Sequence, residues 1–289
     1  MKDTVLVAGS LHYDIVVETS HLPVVDETGV GTGWYPKFGG KGGNQAIAAR
    51  KAGAKARMIG AVGQDEFGLF LRAQLTLAGV DDRFVRTAAT GSGMSVATVL
   101  PNGDYAATIV SGANLTISAE DVARDEVWAG VGLLVLQNEM PQGANLAAAM
   151  EARRRGTRTV LNAAPYRALS PDLAGLVDIL IVNAVEAGMM GTAAVTDLAS
   201  AAVAAKSLVR RFDRVIVTAG SHGLAAIDGD GAAVVIAAEK VTAVSSHGAG
   251  DAFVGALAAS LVAGHDLRAA CQHASAAAAR HVSAARLVA

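Results

Sequence analysis

Residues 131–162, VGLLVLQNEMPQGANLAAAMEARRRGTRTVLN, contain the alternation from which the architecture of this chain follows. The apolar runs at 131–137 and 158–162 predict buried strands. Residues 143–156 between them predict a helix that stops at Gly156, because glycine readily adopts the left-handed conformation found after a last helical turn. A strand, a helix and a second strand in this order predict two parallel strands with a helix covering one face.

The same alternation extends in both directions along the chain. Further strands are predicted at 4–9, 56–62, 178–183 and 214–220, and further helices at 44–53, 67–79, 197–211 and 251–264. This order predicts an α/β fold with a mostly parallel sheet that carries helices on both faces. In such folds ligands collect at the carboxyl ends of the strands, so the residues that follow each strand are the candidates for function.

Two segments lack the alternation and predict a second, small sheet. Residues 13–38 have short period-two patches, and residues 94–110 form two apolar runs joined by PNGD at 101–104. Asn-Gly tolerates the positive φ angles of a tight hairpin turn. We expect the two segments to form a small antiparallel sheet that projects from the main body, either as a lid or as a dimer surface.

Composition limits the classes of function. The 289 residues are 52% hydrophobic and 4% aromatic, with a net charge of −2 and no long basic run, so nucleic acid is not an expected partner. A single cysteine, Cys271, suits a reducing compartment. We find neither a signal-like segment nor an apolar window long enough to span a membrane. The composition therefore predicts a cytoplasmic protein, and we expect one domain over residues 1–289.

The strongest chemical signal is GAGD, Gly248 to Asp251, at the start of the helix at 251–264. Free backbone amides and the helix dipole at such a start attract an anion. A carboxylate there repels the anion unless a group beside it must lose a proton. Asp251 could accept a hydroxyl's proton while the amides of Gly248, Ala249 and Gly250 hold the phosphoryl group under attack. The alternative from the residues alone is a helix N-cap.

Four weaker signals follow or precede predicted elements. Residues 38–53, FGGKGGNQAIAARKAG, surround Lys41 with glycines before a helix, either as a ligand loop or as an ordinary tight turn. Asn183 and Glu186 in NAVE either orient a metal-bound water and a phosphate or form a helix cap. TAGSHG (218–223) is either a phosphate-contacting loop or a hairpin. Glu139 in QNEMP ends a strand, where a solvated acid is the plain alternative.

These motifs occur in one order, and the chain resembles the ribokinase-like (PfkB) carbohydrate kinase family, and within it the ribokinases. The resemblance extends from VLVAGSLHYD to about residue 283 and is carried by FGGKGGNQAIAARKAG and GAGDAFVGAL, with AVGQDEFG (61–68), GANLTIS (112–118) and LNAAP (161–165). It implies a three-layer α/β/α core with a β-lid. It also implies an ATP-dependent phosphotransferase that acts on a sugar hydroxyl, with ribose or a related small sugar as the default substrate.

The resemblance also implies a role for each matching residue. Asp251 would be the catalytic base, and Gly248, Ala249 and Gly250 would form the anion hole. The sugar would be held by His12, Asp14, Gly39, Gly40, Lys41, Asn44 and Glu139. The nucleotide would contact Asn183, Thr218, Gly220, Ser221, Gly223, Gly248, Gly250 and Ser275, while Glu186 would bind Mg²⁺ through water. Mg²⁺ offsets phosphate charge, which explains why few fixed cations are needed. The lid would pair two subunits.

Several positions depart from the family pattern. Ser245 and Ser246, followed by His247, stand where ribokinases have the Asp-Thr that helps to bind potassium, and the tail HVSAARLVA lacks the carbonyls that complete that site. Activity is therefore expected to be similar in sodium and in potassium. His12 replaces the usual Asn of the N-x-D motif, which could change the sugar that fits, and Ser275 replaces a usual Asn or His.

Two alternatives remain open at this stage. A nucleoside kinase of the same fold, for adenosine or pseudouridine, would use lid aromatics to hold the base, and Tyr13, Trp34, Tyr35 and Phe38 are available. A non-catalytic sugar or nucleotide sensor would have no need of a base, so the joint presence of Lys41, Asn183, Glu186 and Asp251 argues against it.

Overall fold

A nine-stranded sheet forms the centre of the molecule in the computed structural model, which describes residues 2–102, 104–229, 231–242, 245 and 247–284. Its strands are β1 (Thr4–Ala8), β4 (Lys55–Gly63), β5 (Asp81–Ala88), β8 (Val131–Gln137), β9 (Arg158–Asn162), β10 (Ile179–Asn183), β11 (Arg214–Thr218), β12 (Gly223–Ile227) and β13 (Ala233–Ala237). Their spatial order is β13-β12-β11-β10-β9-β8-β1-β4-β5. Neighbours from β11 to β5 are parallel, and β12 and β13 join antiparallel at one edge. The predicted mostly parallel sheet is confirmed.

Helices cover both faces of this sheet. They are α1 (Lys41–Lys51), α2 (Glu66–Leu77), α3 (Ala119–Ala123), α4 (Gln142–Arg154), α5 (Pro171–Ala174), α6 (Ala184–Met189), α7 (Leu198–Leu208), α8 (Ala249–Val262) and α9 (Leu267–Ser283). One apolar core lies between the sheet and α4 and α7, and a second lies between the sheet and α1, α2, α8 and α9. Alternate residues of β1 enter different cores, with Leu6 in the first and Val7 in the second, as the two-residue period of a strand requires.

A separate four-stranded sheet corresponds to the predicted lid. It contains β2 (His12–Thr19), β3 (Gly31–Gly39), β6 (Met94–Val99) and β7 (Tyr105–Val110) in the order β3-β2-β6-β7. The expectation of a purely antiparallel sheet is wrong at one pair, because β2 and β6 are parallel. β2 and β6 belong to two separate segments that leave the main body, and the two strands run in the same direction. The β6–β7 hairpin is confirmed, although Gly103 of its PNGD turn lies outside the described residues.

The connection between the two sheets determines where the small sheet lies relative to the strand ends. β2 follows β1 directly, and β3 leads into α1, so the small sheet stands over the carboxyl ends of the large sheet's strands. Tyr13 on β2 stacks on Phe67 of α2 with ring centroids 4.1 Å apart, which joins the small sheet to the core. Within the described residues, no helix is long and apolar enough to cross a membrane.

Candidate active site

A cleft of about 120 Å³ lies at the carboxyl ends of β9, β10 and β11. Its lining comprises Lys41, Asn162, Ala164, Ile181, Val182, Asn183, Glu186, Thr218, Gly248, Gly250, Asp251, Phe253 and Val254. Seven of the residues predicted from the sequence therefore meet here, from four separate motifs. A larger open groove of about 520 Å³, between residues 209 and 231, contains none of the predicted site residues.

The start of α8 presents backbone amides to this cleft. Gly248 is the N-cap residue and has φ of 82°, a left-handed conformation that glycine adopts without strain. No heavy atom lies within 4 Å of the position that a Cβ of Gly250 would occupy, so the space above this residue is open. The helix continues for 14 residues behind the amides, and its dipole favours negative charge at this end.

Asp251 lies in the first turn of α8 and is only 8% exposed. Asn44 Nδ2 donates to its Oδ2 at 3.3 Å, and Gln45 Nε2 donates to its Oδ1 at 2.9 Å. Burial raises the pKa of the Asp251 carboxyl, and the nearby charge of Lys41 together with the two amide bonds opposes that rise. A carboxylate held near the cleft with a raised pKa is suited to accept a proton.

The glycine-rich turn before α1 is fixed by close packing and by Glu139. Glu139 Oε2 accepts hydrogen bonds from the Lys41 backbone N–H at 2.8 Å and from Ser10 Oγ at 2.5 Å. A Cβ on Gly42 would lie 2.6 Å from the Gly9 carbonyl carbon, so this position accepts only glycine without a backbone shift. Glu139 is thus bound to the start of α1. The alternative interpretation, a solvated loop acid, is wrong.

The small sheet contributes Asp14 and His12 at the edge of the site. Ser95 Oγ on β6 donates to Asp14 Oδ1 at 2.6 Å, and a Cβ on Gly39 would lie 2.0 Å from Asp14 Oδ2. The missing side chain at Gly39 therefore makes room for the Asp14 carboxylate. His12 is 4% exposed, and its Nε2 is buried without a hydrogen-bond partner among the described residues.

Asn183 and Glu186 form the helix cap that the spacing suggested, and they also face the cleft. Asn183 Oδ1 accepts from the Glu186 N–H at 2.8 Å, and Glu186 Oε2 accepts from the Asn183 N–H at 2.9 Å. Burial raises the pKa of Glu186, while the bond from Asn183 and the charge of Lys41 oppose the rise. Since both residues also line the cleft, the cap and a ligand role are compatible.

Of the remaining residues predicted on the nucleotide side, Thr218 lines the cleft. Thr218 Oγ1 donates to the Val182 carbonyl at 3.5 Å, at the end of β11. Gly220 to His222 form a 3-10 turn, and Gly223 begins the antiparallel strand β12. TAGSHG therefore connects a hairpin, which is one of the two interpretations of this motif. Gly220, Ser221, Gly223 and Ser275 are not among the described residues that line the cleft, and Ser275 lies half-buried on α9.

The loop before GAGD contacts the end of α9. His281 Nε2 hydrogen-bonds the His247 carbonyl at 2.9 Å, and the Ser245 N–H donates to the Val282 carbonyl at 3.3 Å. Ser246 and the tail residues 285–289, on which the potassium prediction depends, lie outside the described residues. That prediction stays an expectation.

Sequence reasoning missed two buried amides, Gln45 in contact with Asp251 and Gln137 in contact with Gln45. Gln45 and Gln137 are both fully buried, and Gln137 Nε2 donates to Gln45 Oε1 at 2.8 Å. A signal for Gln137 was available, since a lone polar residue that ends the apolar run VGLLVL needs a buried partner. Gln45 lies four residues after Lys41, on the same face of α1, but glutamine is common on helices and carries no such signal.

The fold and the cleft together define a class of protein. Helix-start amides beside a buried carboxylate, at the strand ends of an α/β/α core, suit transfer of a phosphoryl group to a hydroxyl. Mouse ribokinase is 37% identical over 261 residues, which cover 88% of this chain and 80% of that protein. Haemophilus influenzae ribokinase is 31% identical over 265 residues, covering 91% and 86% of the two chains.

A solved structure and a family model agree with these relatives. Arabidopsis thaliana ribokinase complexed with ribose and ATP superposes with a TM-score of 0.91 at 26% identity, covering 98% of this chain and 94% of that one. The model of the pfkB family carbohydrate kinases matches residues 2–286. The chain belongs to the pfkB family of carbohydrate kinases, and it is an ATP-dependent sugar kinase.

Proposed function

We propose that this enzyme transfers the γ-phosphoryl group of ATP to a hydroxyl of D-ribose or a related small sugar. The observation that carries the proposal is the position of Asp251, a buried carboxylate in the first turn of α8 that lines the same cleft as Gly248 and Gly250. The base and the anion-binding amides are thus adjacent. Sugar specificity close to ribose is supported by the two ribokinase relatives and by the ribose-bound neighbour.

In the proposed reaction Asp251 accepts the proton of the attacking sugar hydroxyl. The hydroxyl oxygen forms a bond to the γ-phosphorus as the bond from that phosphorus to the β,γ-bridging oxygen breaks. The electron pair of the broken bond leaves with ADP, and the proton remains on Asp251 until it passes to solvent. The amides of Gly248, Ala249 and Gly250 stabilise the charge on the transferring group.

The acceptor side of the site would be formed around α1 and the small sheet. Asn44 already contacts the Asp251 carboxylate, and Asp14 is fixed by Ser95, so both can orient sugar hydroxyls without first being ordered. Gly39, Gly40, Lys41 and Glu139 would complete this side, with His12 beneath it. Lys41 also places a positive charge beside the phosphoryl path.

The nucleotide side would be formed by the ends of β10 and β11. Asn183 and Thr218 would contact the phosphates, and Gly220, Ser221, Gly223 and Ser275 the rest of the nucleotide. Glu186 fits Mg²⁺, because a carboxylate oxygen is a ligand this ion prefers and Glu186 faces the cleft with only one oxygen used by its cap. Mg²⁺, when bound through water, would offset the charge of the phosphates.

We further propose a homodimer joined through the small sheet and a cytoplasmic location. The exposed apolar side chains of the small sheet and its loops support the first part. Val25 is 90% exposed, Val30 82% and Trp34 67%. The free, buried thiol of Cys271 agrees with a reducing compartment.

The test is a substrate panel with the purified protein and ATP, with ADP release as the readout. The panel contains D-ribose, 2-deoxyribose, several hexoses, adenosine and pseudouridine. We expect turnover with ribose or a closely related free sugar, with product identified by mass as the sugar monophosphate. A rate confined to nucleosides would overturn the proposed acceptor.

A further inference from the structure

A chain of buried amides ends on the Asp251 carboxylate. Gln137, the last residue of β8, donates from Nε2 to Gln45 Oε1 at 2.8 Å. Gln45, on α1, donates from Nε2 to Asp251 Oδ1 at 2.9 Å. Both glutamines are fully buried, so water does not compete for these bonds. β8 is therefore linked through α1 to one oxygen of the carboxylate on α8.

The carboxylate at the end of this series of hydrogen bonds determines which atom of each amide donates and which accepts. A carboxylate oxygen accepts only, so the Gln45 atom that faces it must be the amide nitrogen. The Gln45 oxygen then faces Gln137, which in turn must present its own nitrogen. A flip of either amide would place two acceptors against each other in a buried site. The carboxylate thus determines the orientation of both glutamines.

Gln137 is fixed through its backbone, while its side-chain Oε1 is buried without a hydrogen-bond partner among the described residues. Asn145 Nδ2 on α4 donates to the Gln137 backbone carbonyl at 2.8 Å. A Cβ on Gly9 would lie 2.0 Å from Gln137 Oε1, so the glycine at the end of β1 leaves the space that this amide occupies. Because Gln137 belongs to β8, the far end of this series of amides is fixed to the large sheet, and a movement of Gln45 away from Asp251 would also strain its bond with Gln137.

The two oxygens of Asp251 are consequently unequal. Oδ1 receives the shorter bond, from Gln45, whereas among the described residues Oδ2 receives the 3.3 Å contact from Asn44, which is itself on the proposed acceptor side. Rotation of the carboxylate about its Cβ–Cγ bond would cost the Gln45 bond. Oδ2 is thus the oxygen left to meet a substrate hydroxyl.

We propose that Gln45 is a positioning residue for the base, and that Gln137 fixes the orientation of Gln45. The proposal rests on the proposed function, since it concerns how Asp251 is held for proton transfer. Neither glutamine touches the sugar or the phosphates in this account. Both act through Asp251, by holding Oδ1 so that Oδ2 faces the acceptor.

A packing role alone would give different results on substitution. If the two amides only join α1 to β8, their replacement lowers the free energy of unfolding. The pH dependence of turnover then stays unchanged. A positioning role predicts a fall in kcat with little change in the sugar KM. It also predicts a change in the Asp251 pKa, because the Gln45 bond lowers that pKa against the effect of burial.

The experiment compares Gln45→Met, Gln137→Met and the control Gln142→Met. Methionine keeps the length of the side chain and removes the donor. Gln142 loses a bond of 3.1 Å to the Ala168 carbonyl at the start of α4, away from Asp251. We expect Gln45→Met to lower kcat roughly 10- to 100-fold, as for a lost hydrogen bond to a charged group. Gln137→Met should change kcat in the same direction by less, and Gln142→Met should leave it unchanged.

The pKa of Asp251 gives a readout that does not depend on the identity of the substrate. A ¹³C NMR titration of the aspartate carboxyls should show a higher Asp251 pKa in Gln45→Met than in the unchanged protein, because the bond from Gln45 that lowers this pKa is lost. This shift is measurable even if ribose is not the acceptor, so failure of the substrate panel and failure of this proposal are distinct. An unchanged Asp251 pKa in both Gln45→Met and Gln137→Met would overturn the positioning role. If Gln45→Met does not fold, the milder Gln137→Met variant carries the test.

Discussion

Single residues determine whether the cleft can hold a phosphoryl group. Gly250 is the second residue of α8 and faces open space, and Gly143 is the second residue of α4 and also has no heavy atom within 4 Å of its Cβ position. The two glycines therefore form a matched pair, one in the proposed anion hole and the other away from it.

Gly250→Ala is predicted to fold normally and to lose activity. A methyl group there would enter the space of the transferring phosphoryl, and a misplacement of about 1 Å can cost roughly 100-fold in rate. Thermal unfolding should show both Gly250→Ala and Gly143→Ala as stable as the parent protein or slightly more so. Full activity in Gly250→Ala would contradict the placement of the anion hole.

The pKa of Asp251 predicts the acidic limb of the pH–rate profile. The base works only as the carboxylate, so kcat/KM should rise with pH through the Asp251 pKa, which burial holds above the ordinary value of 3.8. The charge of Lys41 lowers that pKa, and Lys41→Met should therefore move the limb to higher pH. Lys51→Met, at the other end of α1, is the control, and equal shifts in both variants would count against this account.

Among the elements, the close approach of α1 and α8 aligns the proposed base, Asp251, with the proposed acceptor side. A Cβ on Gly255 would lie 2.5 Å from Ala48 Cβ and 2.6 Å from the Gln45 carbonyl oxygen. The glycine on α8 and the alanine on α1 thus let the two backbones approach. This contact keeps Asn44 and Gln45 within hydrogen-bond distance of Asp251.

Gly255→Ala is predicted to be overpacked and to destabilise the protein by about 1–3 kcal/mol. The methyl group has no space unless α1 moves away from α8, so kcat should fall as well. Gly188→Ala on α6, where nothing lies within 4 Å of the Cβ position, is the control. Denaturant unfolding measures the effect, and equal stability of the two variants would show that the helices can separate freely.

The elements that could be predicted from the sequence are those with an unambiguous apolar period. The strands of the parallel sheet from β1 to β11 lie within one or two residues of their predicted positions, with the exception of β5. β5, DDRFVRTA, is an edge strand whose charged residues hide its apolar pattern. β12, GLAAI, and the edge strand β13, AVVIA, carry no charge and were missed because each is only five residues long. The start of α1 was placed three residues late, because Gly42 and Gly43 disfavour a helix by propensity although packing requires them there.

The site was predictable only where a motif carried it. GAGD, GGKGGN and NAVE gave Asp251, Lys41, Asn44, Asn183 and Glu186, which the fold brings to one cleft or into contact. Ser95 and Gln137 come from segments without a motif, and each matters through one hydrogen bond to a residue far away in the chain. Such long-range partners are set by the tertiary packing, which the local sequence does not contain.

At the scale of the whole molecule, the small sheet leaves apolar side chains exposed. Trp34 on β3 is 67% exposed and Ile109 on β7 is 58% exposed. Apolar groups at opposite edges of one sheet are suited to contact with a second copy. We expect a particle of about twice the chain mass of 29.1 kDa in sedimentation.

Ile109→Lys is predicted to shift this particle toward the monomer, because a charge would be buried in the contact. Leu77→Lys, at a 79% exposed position on α2, is the control and should leave the mass unchanged. A monomer for the unchanged protein over the full concentration range would contradict the proposed dimer.

The proposed role of Asp251 as the base of a sugar kinase can be decided by one comparison. ADP release from ATP and D-ribose is measured for the parent protein and for Asp251→Asn, alongside ribose binding by calorimetry. If Asp251 is the base, Asp251→Asn binds ribose much as the parent does, while kcat falls roughly 10²–10⁴-fold, the usual contribution of a positioned base. Near-normal turnover in Asp251→Asn would contradict it.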